Sequence, residues 1–226
     1  MADEGYRLRY PLYLDIAGRR VVVIGGGTVA ERKVAGLLPC GPRVDVVAPR
    51  VTSGRERLAQ TGELVWTRRA FEPEDLDGSV LAFCAVGESA TTALVRRAAI
   101  ERGGPLNVVD EPDLCDFIVP SVVRRGPVQC AISTSGRAPG VAASMRRDLE
   151  ERYPDSWGDY VLLVGRARDL VKAWYPHDAG LRRSLVERVC SPDVFARLDA
   201  GERLTPELLV EEARRAVAAD GEEGRT

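Results

Sequence analysis

The chain has 226 residues, 45% of them hydrophobic, enough to bury a core in one large domain or two smaller ones. With 32 basic and 34 acidic side chains the formal net charge is -2 at pH 7, so no global field argues for nucleic acid or an anionic membrane as partner. Five scattered cysteines (Cys40, Cys84, Cys115, Cys130, Cys190) without C-x-x-C spacing suggest neither a disulfide framework nor a zinc site, and a polar start with only short apolar runs leads us to expect a cytoplasmic protein with free thiols and no membrane span.

The run from Arg19 through Ile24 is rich in β-branched residues and passes directly into Gly25-Gly26-Gly27-Thr28-Val29-Ala30. A strand, a glycine turn and a helix in that order match the G-x-G-x-x-A form of a dinucleotide site. Gly25 allows the tight turn, Gly27 lets a pyrophosphate approach the backbone, and Ala30 lets the helix lie against the strand. The helix N-terminus then offers free N–H groups to the phosphates. Val29, Ala30, Val34, Leu37 and Leu38 continue at helical spacing until Cys40-Gly41-Pro42. Strands are expected over residues 44–48, 64–66, 79–86 and 106–109, with helices over 54–61 and about 91–102. Alternating strands and helices mean a parallel sheet, so residues 1–113 read as a Rossmann-type α/β domain.

From Phe117 the pattern changes. Residues 117–123 and 128–134 are apolar strands flanking Arg124-Arg125-Gly126-Pro127, which reads as the turn of a β-hairpin. Two strands alone are marginal in water, and a symmetric partner chain is the economical cover, so residues 114–153 are expected to form a dimerisation and substrate region. Pro139 is expected at the first position of a helix running to about Tyr153. Residues 154–219 carry helical apolar spacing (Tyr160, Leu163, Val164, Ala167, Leu170, Val171, Trp174) and predict a small helical domain, and 220–226 a charged disordered tail.

Asp110 follows the strand over 106–109, at the edge where open α/β sheets bind ligands. It reads either as an acid/base or positioning carboxylate beside a nicotinamide or as the cap of the Glu111-Pro112-Asp113 turn. Asn107 is an unusual choice for a buried strand and either holds the cofactor or bridges two loops. Ser133-Thr134-Ser135-Gly136-Arg137-Ala138-Pro139 ends a strand and opens a helix, an arrangement that suits an anion or a hydroxyl N-cap. Arg124, Arg125, Arg137, Arg146 and Arg147 cluster around it; guanidinium groups suit carboxylates, although a solvated face also accounts for such a run. The lone His177, beside Pro176 and Asp178, reads as a turn residue, and no set of ligands suggests a metal site.

Taken together, Tyr10-Pro11-Leu12-Tyr13-Leu14, the block Val23 to Lys33, Asn107-Val108-Val109-Asp110, Phe117-Ile118-Val119-Pro120-Ser121 and Ser133 to Pro139 resemble the precorrin-2 dehydrogenase family, which is also the dehydrogenase and ferrochelatase part of sirohaem synthase. The resemblance covers residues 8–153. It implies NAD-dependent oxidation of precorrin-2 to sirohydrochlorin, in some members followed by ferrous iron insertion, with the aspartate at Asp110 serving both steps. It also implies an intertwined homodimer and a tetrapyrrole substrate whose acetates and propionates give Ser133, Thr134 and the arginines Arg124, Arg125, Arg137 and Arg146 a purpose. Gly25 to Val29 and Asn107 are then the cofactor residues, joined by Ala48-Pro49-Arg50 at the end of the second strand. That end lacks the usual acidic residue for the ribose hydroxyls, and Arg50 would also suit a 2′-phosphate. Thr134 stands where some sirohaem synthases have a phosphorylated serine. Two other readings fit the glycine motif alone: an NAD(P) oxidoreductase acting on another small substrate, and a non-catalytic NAD-sensing dimer.

Overall fold

The first strand, β1 (Arg20–Ile24), is nearly all β-branched, and every residue from Val21 to Ile24 is buried. Such a strand needs cover on both faces, and the fold supplies it. In the computed structural model, which describes residues 8–223, β1 pairs in parallel with β2 (Arg43–Val47) and β4 (Leu81–Cys84). With β3 (Val65–Thr67) and β5 (Leu106–Val108) the sheet runs β3-β2-β1-β4-β5, all pairs parallel. Alternation along β1 divides the core. Val21 and Val23 join Phe83, Val34 and Leu37 under helix α1 (Thr28–Leu37), while Val22 and Ile24 join Ala82, Cys84, Val95 and Ala99 under α3 (Ser89–Arg102). Helix α2 (Ser53–Gln60) links β2 to β3. The predicted elements of this region are all present, with ends shifted by no more than three residues.

The chain divides into two compact units. One runs through Val119 and takes in Ser135–Arg137; the other is Pro120–Thr134 with the chain from Ala138 onward. In the second unit β6 (Ser121–Arg125) and β7 (Val128–Ile132) form an antiparallel hairpin. Its turn is tighter than the sequence suggests. Arg124 pairs with Gln129 and Arg125 with Val128, leaving Gly126-Pro127 as the two-residue loop. Helix α4 (Pro139–Arg152) starts at Pro139 as expected, because a proline at the first position loses no helical hydrogen bond.

Helices α5 (Ser156–Trp174), α6 (Ala179–Val189), α7 (Pro192–Asp199) and α8 (Pro206–Glu223) share one core. Tyr160, Val164, Ala167 and Val171 form the buried stripe of α5 at helical spacing, whereas Trp174 ends the helix exposed. Trp157 stacks on Phe195 at 4.4 Å between ring centroids, tying α5 to α7. Asp178, not His177, caps α6, its Oδ1 accepting from the N–H of Leu181 at 2.8 Å. Helix α8 continues through Asp220 to Glu223, into the segment expected as a disordered tail; residues 224–226 lie outside those described. Among the described residues no helix is long and apolar enough to cross a membrane.

The hairpin turn docks on α5 through glycines. An ideal Cβ at Gly158 would sit 2.9 Å from the Arg125 carbonyl oxygen and 3.1 Å from the Gly126 nitrogen, both of them backbone atoms with little room to yield. At Gly165 of the same helix a Cβ meets nothing within 4 Å. Helix propensity favours alanine over glycine by about 0.8–1 kcal/mol at either position. Gly165→Ala is therefore expected to stabilise the protein and Gly158→Ala to destabilise it by about 1–3 kcal/mol through overpacking. Urea denaturation of the two variants checks the opposite signs.

Candidate functional site

Strand order reverses direction between β1 and β4, and ligands of open α/β sheets bind at the carboxyl ends beside that point. Two clefts open there in the first unit. One, of about 660 Å³, is walled by Gly25, Gly26 and Gly27 on one side and Ala48, Pro49, Arg50 and Thr52 on another. The second, of about 890 Å³, is lined by Val29, Gly87, Arg96, Arg97, Asp110 and Asp113 among others, and Val86 borders both.

The glycine turn is built from close backbone contacts. Gly25 has a φ of 120°, and a Cβ on it would run into the Ala85 carbonyl; a Cβ on Gly26 would overlap the Arg50 carbonyl oxygen. Gly27 is open, with nothing within 4 Å of where its Cβ would be. So Gly25 and Gly26 are glycine because other backbones abut them, while Gly27 leaves space on the ligand side. The opposite wall is braced by Trp66, whose Nε1 donates to the Ala48 carbonyl at 2.9 Å. The Thr52 hydroxyl is buried without a hydrogen-bond partner among the described residues. A bare glycine face, a braced facing wall and an unpaired hydroxyl fit a dinucleotide. Thr28 is exposed at the start of α1, and Val29 turns to the second cleft rather than this one.

Asn107 bridges two segments of the chain. It is 6% exposed, and its amide donates to the Phe117 carbonyl at 2.9 Å. It lines neither cleft. Its neighbours anchor the segment after β5. The Cys115 thiol lies 3.1 Å from both the N–H and the carbonyl of Val108, and Asp116 Oδ2 accepts from the Leu106 N–H at 3.0 Å.

Asp110 stands at the head of this anchored segment. It is exposed, lines the larger cleft and has a φ of 62°, a left-handed conformation that costs a non-glycine residue about 1 kcal/mol or more. It does not cap the following turn, which begins at Glu111 and has no side-chain cap. Lys33, the last residue of the glycine block, is half-buried with Nζ 5.8 Å from the centre of the Phe83 ring. Burial pushes its ammonium below the usual 10.5, an effect that nearby Cys115 and Asp110 oppose and Arg32 reinforces.

The basic cluster of the sequence divides on inspection. Arg125 donates to the Tyr153 and Glu150 carbonyls at 2.7 and 3.0 Å and so closes the end of α4; it also pairs with Asp155 at 3.1 Å. Arg146 pairs with Glu150 one turn away. These two make structural contacts within the second unit. Arg124 is exposed on β6. Thr134 Oγ1 accepts from the Ala138 N–H at 3.3 Å, the role of a hydroxyl at a helix start. Ser133 is on the same strand end, and Arg137 follows two left-handed residues, Ser135 and Gly136, with φ of 54° and 81°. Two groups that carry no local signal in the sequence are Arg97, exposed in the Asp110 cleft, and Arg55, fully buried behind the glycine turn.

Comparison with known proteins agrees with the cofactor side. Residues 12–121 match a family model described as "Putative NAD(P)-binding". The chain is 43% identical over 192 residues to "Siroheme synthase 1" of Yersinia enterocolitica, covering 85% of this chain and 40% of that protein. It is 40% identical over 164 residues to "Siroheme synthase" of Neisseria meningitidis, covering 73% of this chain and 34% of the relative. It thus spans about two-fifths or less of these relatives. Among solved structures, "SirC, precorrin-2 dehydrogenase" has the same fold, with a TM-score of 0.75 at 24% identity over 92% of this chain and all of that one.

The Asp116 carboxylate reports on the segment that carries Asp110. Burial works against its charged form, but hydrogen bonds from Arg96, at 2.7 Å, and from the Leu106 N–H outweigh it and hold the pKa below the usual 3.8. A carboxyl with a folded pKa below its unfolded one stabilises the fold above the unfolded value, and that contribution disappears as pH falls through the folded value. Asp116→Asn is therefore expected to be less stable than the parent at pH 7, with the difference shrinking as pH is lowered below 3.8. Urea denaturation of both proteins across that range measures it.

Proposed function

We propose that this chain is a member of the precorrin-2 dehydrogenase and sirohaem synthase family and oxidises precorrin-2 to sirohydrochlorin with NAD as cofactor. The observation that carries the reading is Asp110: an exposed carboxylate on strained backbone at the carboxyl end of β5, in a cleft that shares Val86 with the glycine cleft. Bound NAD supplies the hydride acceptor. Gly25, Gly26, Gly27 and Ala48 to Arg50 hold the cofactor in this reading, and Thr28 offers its backbone N–H at the helix start.

Loss of a hydride from the macrocycle leaves a proton to be removed, and Asp110 Oδ is the acceptor we assign. The larger cleft suits a flat, polycarboxylate ring because Arg97 presents an exposed guanidinium there, while Arg96 is partly spent on Asp116. Arg137, which belongs to the same unit as Asp110, is a candidate for another of the substrate's carboxylates. Iron insertion is a second step for the same carboxylate: as ferrous ion enters sirohydrochlorin two pyrrole protons leave, and Asp110 receives them in turn. Among the described residues the β6-β7 sheet has only two strands, which supports a homodimer; light scattering at micromolar concentration is expected to give twice the chain mass.

The decisive experiment is anaerobic incubation of the protein with precorrin-2 and NAD, following NADH and sirohydrochlorin absorbance, then addition of ferrous iron. Coupled NADH and sirohydrochlorin formation is expected. Asp110→Asn is expected to lose about 100-fold or more in turnover, the range of a general base, while NAD affinity is retained. Unchanged turnover removes Asp110 from the mechanism.

A further inference from the structure

We infer that Arg55 is a positioning residue of the dinucleotide site, holding the glycine turn from behind and supplying positive charge beneath the pyrophosphate, with Glu31 as its counter-charge. The inference rests on the cofactor reading above and adds residues that no glycine motif contains. Arg55 lies in the first turn of α2 and is 0% exposed, a rare place for an arginine. Its Nη1 donates to the Gly25 carbonyl at 3.0 Å and its Nη2 to the Gly27 carbonyl at 2.9 Å. The fork thus clamps both ends of the turn, a geometry that lysine cannot reproduce.

The clamp has a directional consequence. Peptide bonds here are trans, so each N–H points opposite to the carbonyl of the same peptide. Turning the carbonyls of Gly25 and Gly27 onto the guanidinium aims the N–H groups of Gly26 and Thr28 away from it, toward an anion. Arg55 itself lines neither cleft, so it acts through the turn.

Charge adds a second effect. Glu31 sits in the first turn of α1, where a carboxylate opposes the binding of an anion at the helix N-terminus. A Cβ on Gly54 would overlap Glu31 Oε1, so that carboxylate packs directly against the residue preceding Arg55. Burial holds the Arg55 guanidinium below its usual range, and the nearby Glu31 carboxylate partly opposes that shift. Arg55 Nε, buried and without a partner among the described residues, leaves the guanidinium with hydrogen-bonding capacity not spent on them. Removing the guanidinium leaves Glu31 facing the phosphates alone; removing Glu31 leaves the guanidinium uncompensated.

The test is calorimetric titration of NAD and ADP-ribose, with NMR titration of adenosine, into the whole protein and its Arg55→Lys, Arg55→Gln and Glu31→Gln variants. Arg55→Lys is expected to weaken NAD and ADP-ribose by about tenfold and Arg55→Gln by more, as loss of charge-assisted hydrogen bonds implies. Adenosine, which lacks phosphates, is expected to bind all four proteins alike, and Glu31→Gln to bind NAD more tightly than the parent. Should Arg55→Gln fail to fold, Arg55→Lys and Glu31→Gln still decide. Equal NAD affinity in Arg55→Lys and parent, or a parallel loss of adenosine affinity, overturns the inference. Absence of NAD binding by the parent overturns the cofactor reading itself.

Discussion

At the carboxyl end of β1, three stretches of backbone meet without side chains between them. Gly25 abuts Ala85 after β4, and Gly26 abuts Arg50 after β2. These contacts follow from register: Ile24 pairs with both Val47 and Cys84, so the chain leaves three neighbouring strands at the same height. A methyl group at either glycine would have to move backbone, not a side-chain tip. The floor of the cofactor cleft and the divide between the two clefts therefore share one constraint, and the sheet core beneath makes it rigid. Ile24 and Cys84 are 1% and 0% exposed, so no slack exists below the turn to absorb a shift.

The other side of the site is held by a different device. Asp110 occupies a backbone conformation that L-residues avoid, and it persists because residues on both sides of it are fixed. Val109 continues the ladder by donating to the Cys84 carbonyl at 2.9 Å. Downstream, Cys115 and Asp116 fold back onto β5 through polar contacts, and Asn107 secures Phe117. Phe117 in turn meets Phe83 edge-on at 5.4 Å between ring centroids. A strained residue between two fixed ends is pre-set in direction, which is what a carboxylate aimed at a bound ring requires.

Local signals made much of this legible in the sequence. β1, the glycine turn and α1 are announced by β-branched residues, by glycine spacing and by apolar residues recurring every three to four positions. Asp110 is visible because it ends an apolar strand, and Pro139 because proline suits the first position of a helix. What escaped notice depends on contacts distant in sequence. Arg55 is one of 32 basic residues on a short polar helix, and only the fold brings it to glycines about 30 positions earlier. Arg125 reads as a turn residue until the hairpin register shows it paired with Val128, with its guanidinium closing α4. The bond of Asn107 to Phe117 is likewise invisible in the sequence, since its acceptor lies ten residues on across a turn.

The charge balance of the chain explains why these distant contacts matter. At a net charge of -2 the protein has no long-range field to gather an anionic ligand, so recognition depends on short-range groups. An exposed guanidinium is screened within about 8–10 Å at physiological salt, whereas one fully removed from water is screened much less. Placing Arg55 behind the turn, with Glu31 to offset the cost of burying it, keeps a positive charge where solvent and salt reach it least. Leaving Arg97 exposed serves the opposite need, since a substrate that must enter and leave is better met by a side chain that keeps its hydration until contact. On this reading one arginine sets a fixed field for a cofactor, and another makes a reversible contact with a substrate.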